Sequence, residues 1–114
     1  MMPHKFILDY LKPKQPLVKK IFENYAVYIE DKIFLTTRRN LKKPCDDGIW
    51  VGTSTDYHQS LREQFPSLTN LNLYNIKKWL FLPAKAQDFE KTAIQLCELI
   101  KSGDPRIGVS PVKK

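Results

Sequence analysis

The chain has 114 residues, of which 42% are hydrophobic and 27% are charged, and its formal net charge is +7. This length predicts a single domain spanning residues 1–114 with a core of its own, and the charge fits either a protein that binds polyanions or one that is kept soluble by its charge. No apolar run approaches the roughly 20 residues of a membrane-spanning helix, and charged residues interrupt the apolar stretch of MMPHKFILDYLKPKQP, so we expect a cytoplasmic protein with neither a membrane segment nor a signal peptide.

The first part of the chain predicts one helix and three strands. Apolar residues recur at helical spacing over residues 4–12, and Pro13 ends this pattern because proline lacks the backbone N–H that continues a helix. Short runs rich in β-branched and aromatic residues follow at 17–22, 25–29 and 33–37. The turns between these runs are too short for a parallel crossover, so we expect the three strands to pair antiparallel.

A basic, turn-rich segment follows the third strand. The stretch TTRRNLKKPCDDGIW, residues 36–50, places four positive charges before a proline, two aspartates and a glycine. These turn-forming residues predict an exposed loop over residues 39–48 that joins two strands of the sheet. The next strand is expected at 49–53.

The remaining chain predicts two more helices, with strands between them. A helix is expected over 56–65, a strand or an extended loop over 68–76, a strand over 77–83 and a helix over 85–102. Gly103 is a typical residue for ending a helix, and the following Asp104–Pro105 pair prevents its continuation. Residues 104–114 are expected to form a loosely ordered tail.

The resulting order of elements is α-β-β-β-β-α-β-β-α, which predicts an α+β fold. Strands that are close in sequence pair antiparallel, and the helices of such a fold pack against a face of the sheet. We expect a two-layer sandwich, with an antiparallel sheet of about five to six strands and the helices packed on one face.

The positive charge is concentrated in the first part of the chain. Residues 1–43 carry ten Lys and Arg against four acids, whereas residues 44–114 carry nine against eight. A one-sided positive field attracts polyanions, although the alternative that the charge only aids solubility stays open. The candidate contacts to nucleic acid or to an acidic partner are Lys19, Lys20, Arg38, Arg39, Lys42, Lys43, Lys77 and Lys78.

The sequence has no recognised catalytic signature. Glycine-rich phosphate loops and the nucleophile-elbow motif are absent from it. Cys45 follows Lys42 and Lys43, which would favour its thiolate, but the adjacent Asp46 and Asp47 act in the opposite direction and no base is evident. We therefore expect a protein that is not an enzyme.

The cysteines and histidines do not form a metal-binding pattern. His4 and His58 are far apart, and Cys45 and Cys97 are separated by 52 residues, which fits neither a disulfide framework nor a metal-ligand spacing. We expect no metal and no cofactor. Cys97 is expected to pack as a small apolar residue in the last helix.

Three stretches of the chain resemble parts of a known family. They are ENYAVYIEDKIFLTT, IWVGTSTDYHQSLREQFPSL and KKWLFLPAKAQDFEKTAIQLCELI. In order, they resemble a strand–turn–strand, a strand followed by a helix, and a strand leading into a final helix of the TfoX N-terminal/YjbR-like superfamily of small bacterial proteins. The resemblance implies a type-III-chaperone-like α/β sandwich, an association with DNA or competence regulation, and no catalytic residues. The longer basic loop and Asn24, where the pattern favours glycine, depart from it.

Taken together, these features predict a small binding protein. The first interpretation is a protein-interaction or regulatory module, with a protein partner or a second copy of the chain. The alternative is a nucleic-acid-binding protein, with DNA as the partner, that uses its basic N-terminal half. Trp50 and Trp79 could stack on bases, but both lie in strand patterns, where packing in the core is the favoured interpretation.

Overall fold

The computed structural model describes residues 2–21, 24–38, 47–70 and 79–110. Three α-helices follow the predicted order: α1 (Ile7–Tyr10), α2 (His58–Gln64), which a 3-10 turn at Thr55–Tyr57 precedes, and α3 (Phe89–Ser102). Six strands lie between the helices, four after α1 and two after α2: β1 (Leu17–Ile21), β2 (Asn24–Ile29), β3 (Lys32–Arg38), β4 (Gly48–Val51), β5 (Thr69–Asn70) and β6 (Leu80–Pro83). None of the helices in these described ranges is long and apolar enough to cross a membrane.

The six strands form one sheet in the order β1-β2-β3-β4-β6-β5, and every neighbouring pair is antiparallel. The first four strands lie in the sheet in chain order, and the two-residue connections between β1 and β2 and between β2 and β3 can only join antiparallel neighbours. The turn between β2 and β3 has two residues, and Glu30 adopts the left-handed conformation with φ of 58°. The predicted α+β sandwich is confirmed.

The hydrophobic core lies between the helices and one face of the sheet. Val27, Leu35, Val51 and Leu80 lie opposite one another in β2, β3, β4 and β6, and all four are fully buried. The helices cover this row with apolar residues of the same cluster, which include Ile7, Leu11, Leu61, Phe65, Phe89, Ala93, Leu96, Cys97 and Ile100. The helical periodicity of α3 therefore identifies its buried face.

The last helix begins later than its apolar pattern predicts, at Phe89 rather than residue 85. Asp88 precedes it and accepts hydrogen bonds from the hydroxyls of Ser67 and Thr92, so polar contacts fix the start of the helix. These hydrogen bonds hold the pKa of Asp88 below its usual value. The predicted end is confirmed, because Gly103 adopts a left-handed conformation and donates its N–H to the last turn.

Residues 104–110 differ from the loosely ordered tail expected from the sequence. Ile107 is buried in the core, the N–H of Gly108 donates to the carbonyl of Gly52, and Val109 exchanges two backbone hydrogen bonds with Ile33. These contacts attach the segment to the start of β3 and the end of β4. The remaining tail, residues 111–114, lies outside the described residues, as do residues 71–76 of the predicted strand.

Candidate interaction surface

The strand β1 forms one edge of the sheet. Within the described residues it pairs with β2 alone, whereas the opposite edge is formed by β5, which has only two residues. Leu17, Lys19 and Lys20 are exposed, and Leu17 retains 58% of its accessible surface. Alternate residues of an edge strand direct their backbone N–H and C=O groups away from the sheet. The longer edge therefore carries backbone groups that a further strand could bind.

Two lysines of β1 lie over tyrosine rings of β2. The ammonium of Lys19 is 5.0 Å from the centroid of the Tyr28 ring, and that of Lys20 is 5.9 Å from the centroid of Tyr25. Consecutive residues of a strand point to opposite faces, so the two pairs lie on different faces of the sheet. Each cation is attracted by the face of its ring, and both side chains lean towards β2 rather than over the open edge.

The edge strand and the turn before it contain no acidic residue. Residues 11–21 carry four lysines, and all four are exposed: Lys12, Lys14, Lys19 and Lys20. We call these four lysines the basic edge. The ammonium of Lys12 lies 3.8 Å from the carboxylate of Asp9 with both side chains exposed, and such a pair contributes little. The basic edge therefore presents concentrated positive charge to solvent.

Arg38 is a buried residue of the sheet and not part of the exposed basic loop. It is the last residue of β3, only 7% of its surface is exposed, and its guanidinium lies 5.9 Å from the ring centroid of Trp50. Of the candidate contacts named from the sequence, Arg38 is therefore buried and not exposed to solvent. Gly48 lies directly opposite Arg38 on β4, and the space that its side chain would take is filled by Phe81 and Leu82 of β6. Arg38 packs on Trp50, which lies two residues further along β4.

The structure brings only part of the predicted set of basic residues together. Lys19 and Arg38 share the sheet face away from the helices, with Cα atoms about 12 Å apart by strand spacing and register. Lys20 points to the other face, beside Tyr25. The other candidates lie outside the described residues: Arg39, Lys42, Lys43, Lys77 and Lys78.

Trp50 and Phe81, two aromatic side chains on the open sheet face, are not available for stacking. Trp50 is 3% exposed and Phe81 is 9% exposed, and the half-buried Trp79 packs against both. Packing of the tryptophans, the interpretation favoured from the sequence, is therefore confirmed for Trp50. A base could not reach its ring in this conformation, because stacking requires an accessible π-face.

Cys97 is buried, and the described residues contain no cluster that could bind a metal ion. Cys97 is fully buried, its thiol lies 3.7 Å from the carbonyl of Ile7, and burial raises its pKa to about 12. Its predicted packing role is confirmed. Residues 2–21, 24–38, 47–70 and 79–110 contain no cluster of three His, Cys, Asp or Glu that could hold a metal ion. Cys45 lies outside them.

Sequence reasoning missed two features of the described surface. The tyrosines beneath Lys19 and Lys20 were not singled out, although a hairpin register places Tyr25 directly opposite Lys20. The second feature is the contact set of Arg106, whose guanidinium donates to Asp104, Ser60 and Gln64. Its partners are up to 46 residues away, so no local pattern reveals them.

Comparison of the chain with known proteins gives no relative. No family model, no curated protein and no solved structure matches it. The resemblance to the TfoX/YjbR-like superfamily therefore stays a prediction.

Proposed function

We propose that the chain is a non-enzymatic protein-interaction module that binds an acidic segment of a partner protein at the basic edge. The observation that carries this proposal is the run of residues 11–21, which places four exposed lysines and no acid on the edge strand and the turn before it. Complementary charge steers such a partner to the surface and selects it over neutral proteins.

The state of the open sheet face favours a protein partner over nucleic acid. Proteins that read single strands on a sheet stack bases on exposed aromatic side chains and contact phosphates with Arg and Lys. Here Trp50, Phe81 and Arg38 are all buried. The edge strand, in contrast, is exposed at Leu17, Lys19 and Lys20.

Binding of a labelled glutamate-rich peptide tests the proposal, with a DNA oligonucleotide of equal charge measured beside it at ~0.15 M salt. Replacing Lys19 and Lys20 with Ser is expected to weaken peptide binding about tenfold or more. The matched control replaces Lys85 and Lys91 with Ser, which removes the same charge from exposed positions outside β1. We expect it to change binding less than about threefold.

Two outcomes would contradict the proposal. Equal weakening by the two double variants would show that only the net charge of the protein matters. Tighter binding of the DNA than of the peptide, with loss in the Lys19/Lys20 variant, would assign the basic edge to nucleic acid instead.

A further inference from the structure

The order of side chains along β1 determines which residues of an added strand would lie opposite them. Along β1, Leu17 and Lys19 lie on the open face, and Val18 and Lys20 on the helix face, because successive residues alternate. Leu17 is largely exposed, whereas Val18 is half-buried against the core. The edge thus presents one uncovered apolar side chain followed by two consecutive cations, one on each face.

We infer that the acidic partner segment joins the sheet as a seventh strand, antiparallel to β1, and carries the order acid-acid-x-apolar. This inference rests on the proposed function and specifies its ligand. Every strand pair in the sheet is antiparallel, and antiparallel pairing is the more stable arrangement per residue. Strand addition of this kind draws affinity from main-chain hydrogen bonds and specificity from side-chain positions.

The register gives each position of the motif a partner. Read along an antiparallel segment, its first acid lies opposite Lys20, its second opposite Lys19 and its apolar residue opposite Leu17. Directly opposite side chains on neighbouring strands are about 5 Å apart at Cβ, and opposite charges at such positions stabilise the pair. Because Lys19 and Lys20 point to different faces, two adjacent acids are needed to reach both.

The lysines leave room for this strand. Their ammonium groups lie over Tyr28 and Tyr25 of β2, at 5.0 and 5.9 Å from the ring centroids. Both side chains therefore lean away from the open side of β1. To pair with a carboxylate on an added strand, each ammonium must leave its ring and turn across β1, which the flexible four-carbon stem of lysine permits.

A second copy of the chain is a poor occupant of the same edge. In the antiparallel register that pairs all five residues of β1 with another β1, the two Lys19 side chains lie directly opposite each other. Like charges at such positions are destabilising, and lysines on edge strands are a common barrier to self-association. The same lysines that reject a second copy select an acidic strand.

Backbone-modified peptides test strand addition directly. In an antiparallel pair, alternate residues direct their N–H groups to the neighbouring strand and the others direct theirs away. A peptide containing Glu-Glu-Val-Leu is therefore made in two N-methylated forms, one for each alternate set of residues. One form is expected to lose binding about tenfold or more, because two hydrogen bonds are removed, and the other to stay within about threefold of the unmodified peptide.

Two further peptides and one variant complete the design. The reversed order, Leu-Val-Glu-Glu, has the same charge and is expected to bind at least about fivefold more weakly, because it cannot match both acids and the apolar residue in the antiparallel register. Replacing Lys19 and Lys20 with Glu should abolish binding of the acidic peptide and create binding of Lys-Lys-Val-Leu.

The outcomes separate the two proposals. If the acidic peptide binds but both N-methylated forms behave alike, strand addition is overturned while the proposed function stands. If no acidic peptide binds the protein, both are overturned. A difference between the two N-methylated forms, together with the charge swap, supports both.

Discussion

The buried contact between Arg38 and Trp50 should stabilise the fold, although arginine is usually an exposed residue. The guanidinium lies 5.9 Å from the indole centroid, and removing it deletes both this attraction and the packing of a long side chain. We predict that Arg38→Ala lowers the free energy of unfolding by about 2 kcal/mol, measured by urea denaturation. The control Lys19→Ala, at an exposed position, should stay within about 0.5 kcal/mol. Equal effects of the two would contradict the contact.

The buried thiol of Cys97 predicts a loss of stability at alkaline pH. Its pKa is raised from 9.0 to about 12 in the folded protein, so the unfolded chain releases its proton first as the pH rises. The stabilisation is complete below pH 9 and declines until the folded pKa is passed. Between about pH 8 and pH 10 ionisation of the thiol in the unfolded chain should lower the free energy of unfolding by about 1 kcal/mol.

Cys97→Ala isolates this effect, because the variant retains every other group that titrates in the same range. Its unfolding free energy should fall less between the two pH values than that of the parent protein. Identical pH dependence of the two proteins, measured by urea denaturation, would show that the thiol is not protected by burial.

The segment after α3 depends on one arginine. Arg106 donates to Ser60 and Gln64 of α2 at 2.7 and 2.8 Å, and its carbonyl accepts from Thr53. We predict that Arg106→Ala accelerates amide exchange at Gly108 and Val109, which are tied to the sheet by backbone bonds. The control Arg62→Ala removes an exposed arginine from α2, the helix that carries Ser60 and Gln64. If its effect on these amides is as large, Arg106 does not anchor the segment.

The ion pair between Asp104 and Arg106 predicts a loss of stability in acid. Hydrogen bonds from Arg106 hold the pKa of Asp104 below its ordinary value of 3.8. The carboxylate therefore stabilises the fold above that value, and this contribution is lost as the pH falls towards the folded pKa. Asp104→Asn should be less stable at neutral pH and less sensitive to acid, as followed by thermal unfolding between about pH 6 and pH 2. An unchanged acid response would contradict the ion pair.

The strands of the meander could be predicted closely because their determinants are local. The observed β1, β2 and β3 begin and end within one residue of their predicted bounds, since turn residues separate runs of strand-forming residues. The burial of Arg38 could not be predicted in this way. It depends on the register between β3 and β4, which brings Gly48 opposite Arg38 and places Trp50 nearby, and no pattern within either strand encodes that register.

For the candidate site, too, the sequence predicts local features but not those that depend on distant strands. The positive run of residues 11–21 is visible in the sequence, and alternation along a strand places Lys19 and Lys20 on opposite faces. That β1 is an edge strand depends on where β6 and β5 are inserted, because the sheet order β1-β2-β3-β4-β6-β5 is not the chain order. The sequence alone could therefore not distinguish a basic edge from a basic face.

Across the whole molecule, positive charges occupy two kinds of position. Arg38 is buried and packs on Trp50, whereas the four lysines of the basic edge are exposed beside backbone groups of an edge strand. The proposed acidic partner accounts for the position of the cations on β1, the longer of the two edge strands among the described residues.

Amide hydrogen exchange in the presence of the Glu-Glu-Val-Leu peptide tests this account most directly. Strand addition protects only N–H groups that point away from β2, so we predict slower exchange at alternate residues within Leu17–Ile21 and little change in α2 or α3. Binding of the peptide without any slowing in β1, or with slowing confined to other elements, would contradict the claim that the basic edge receives the partner.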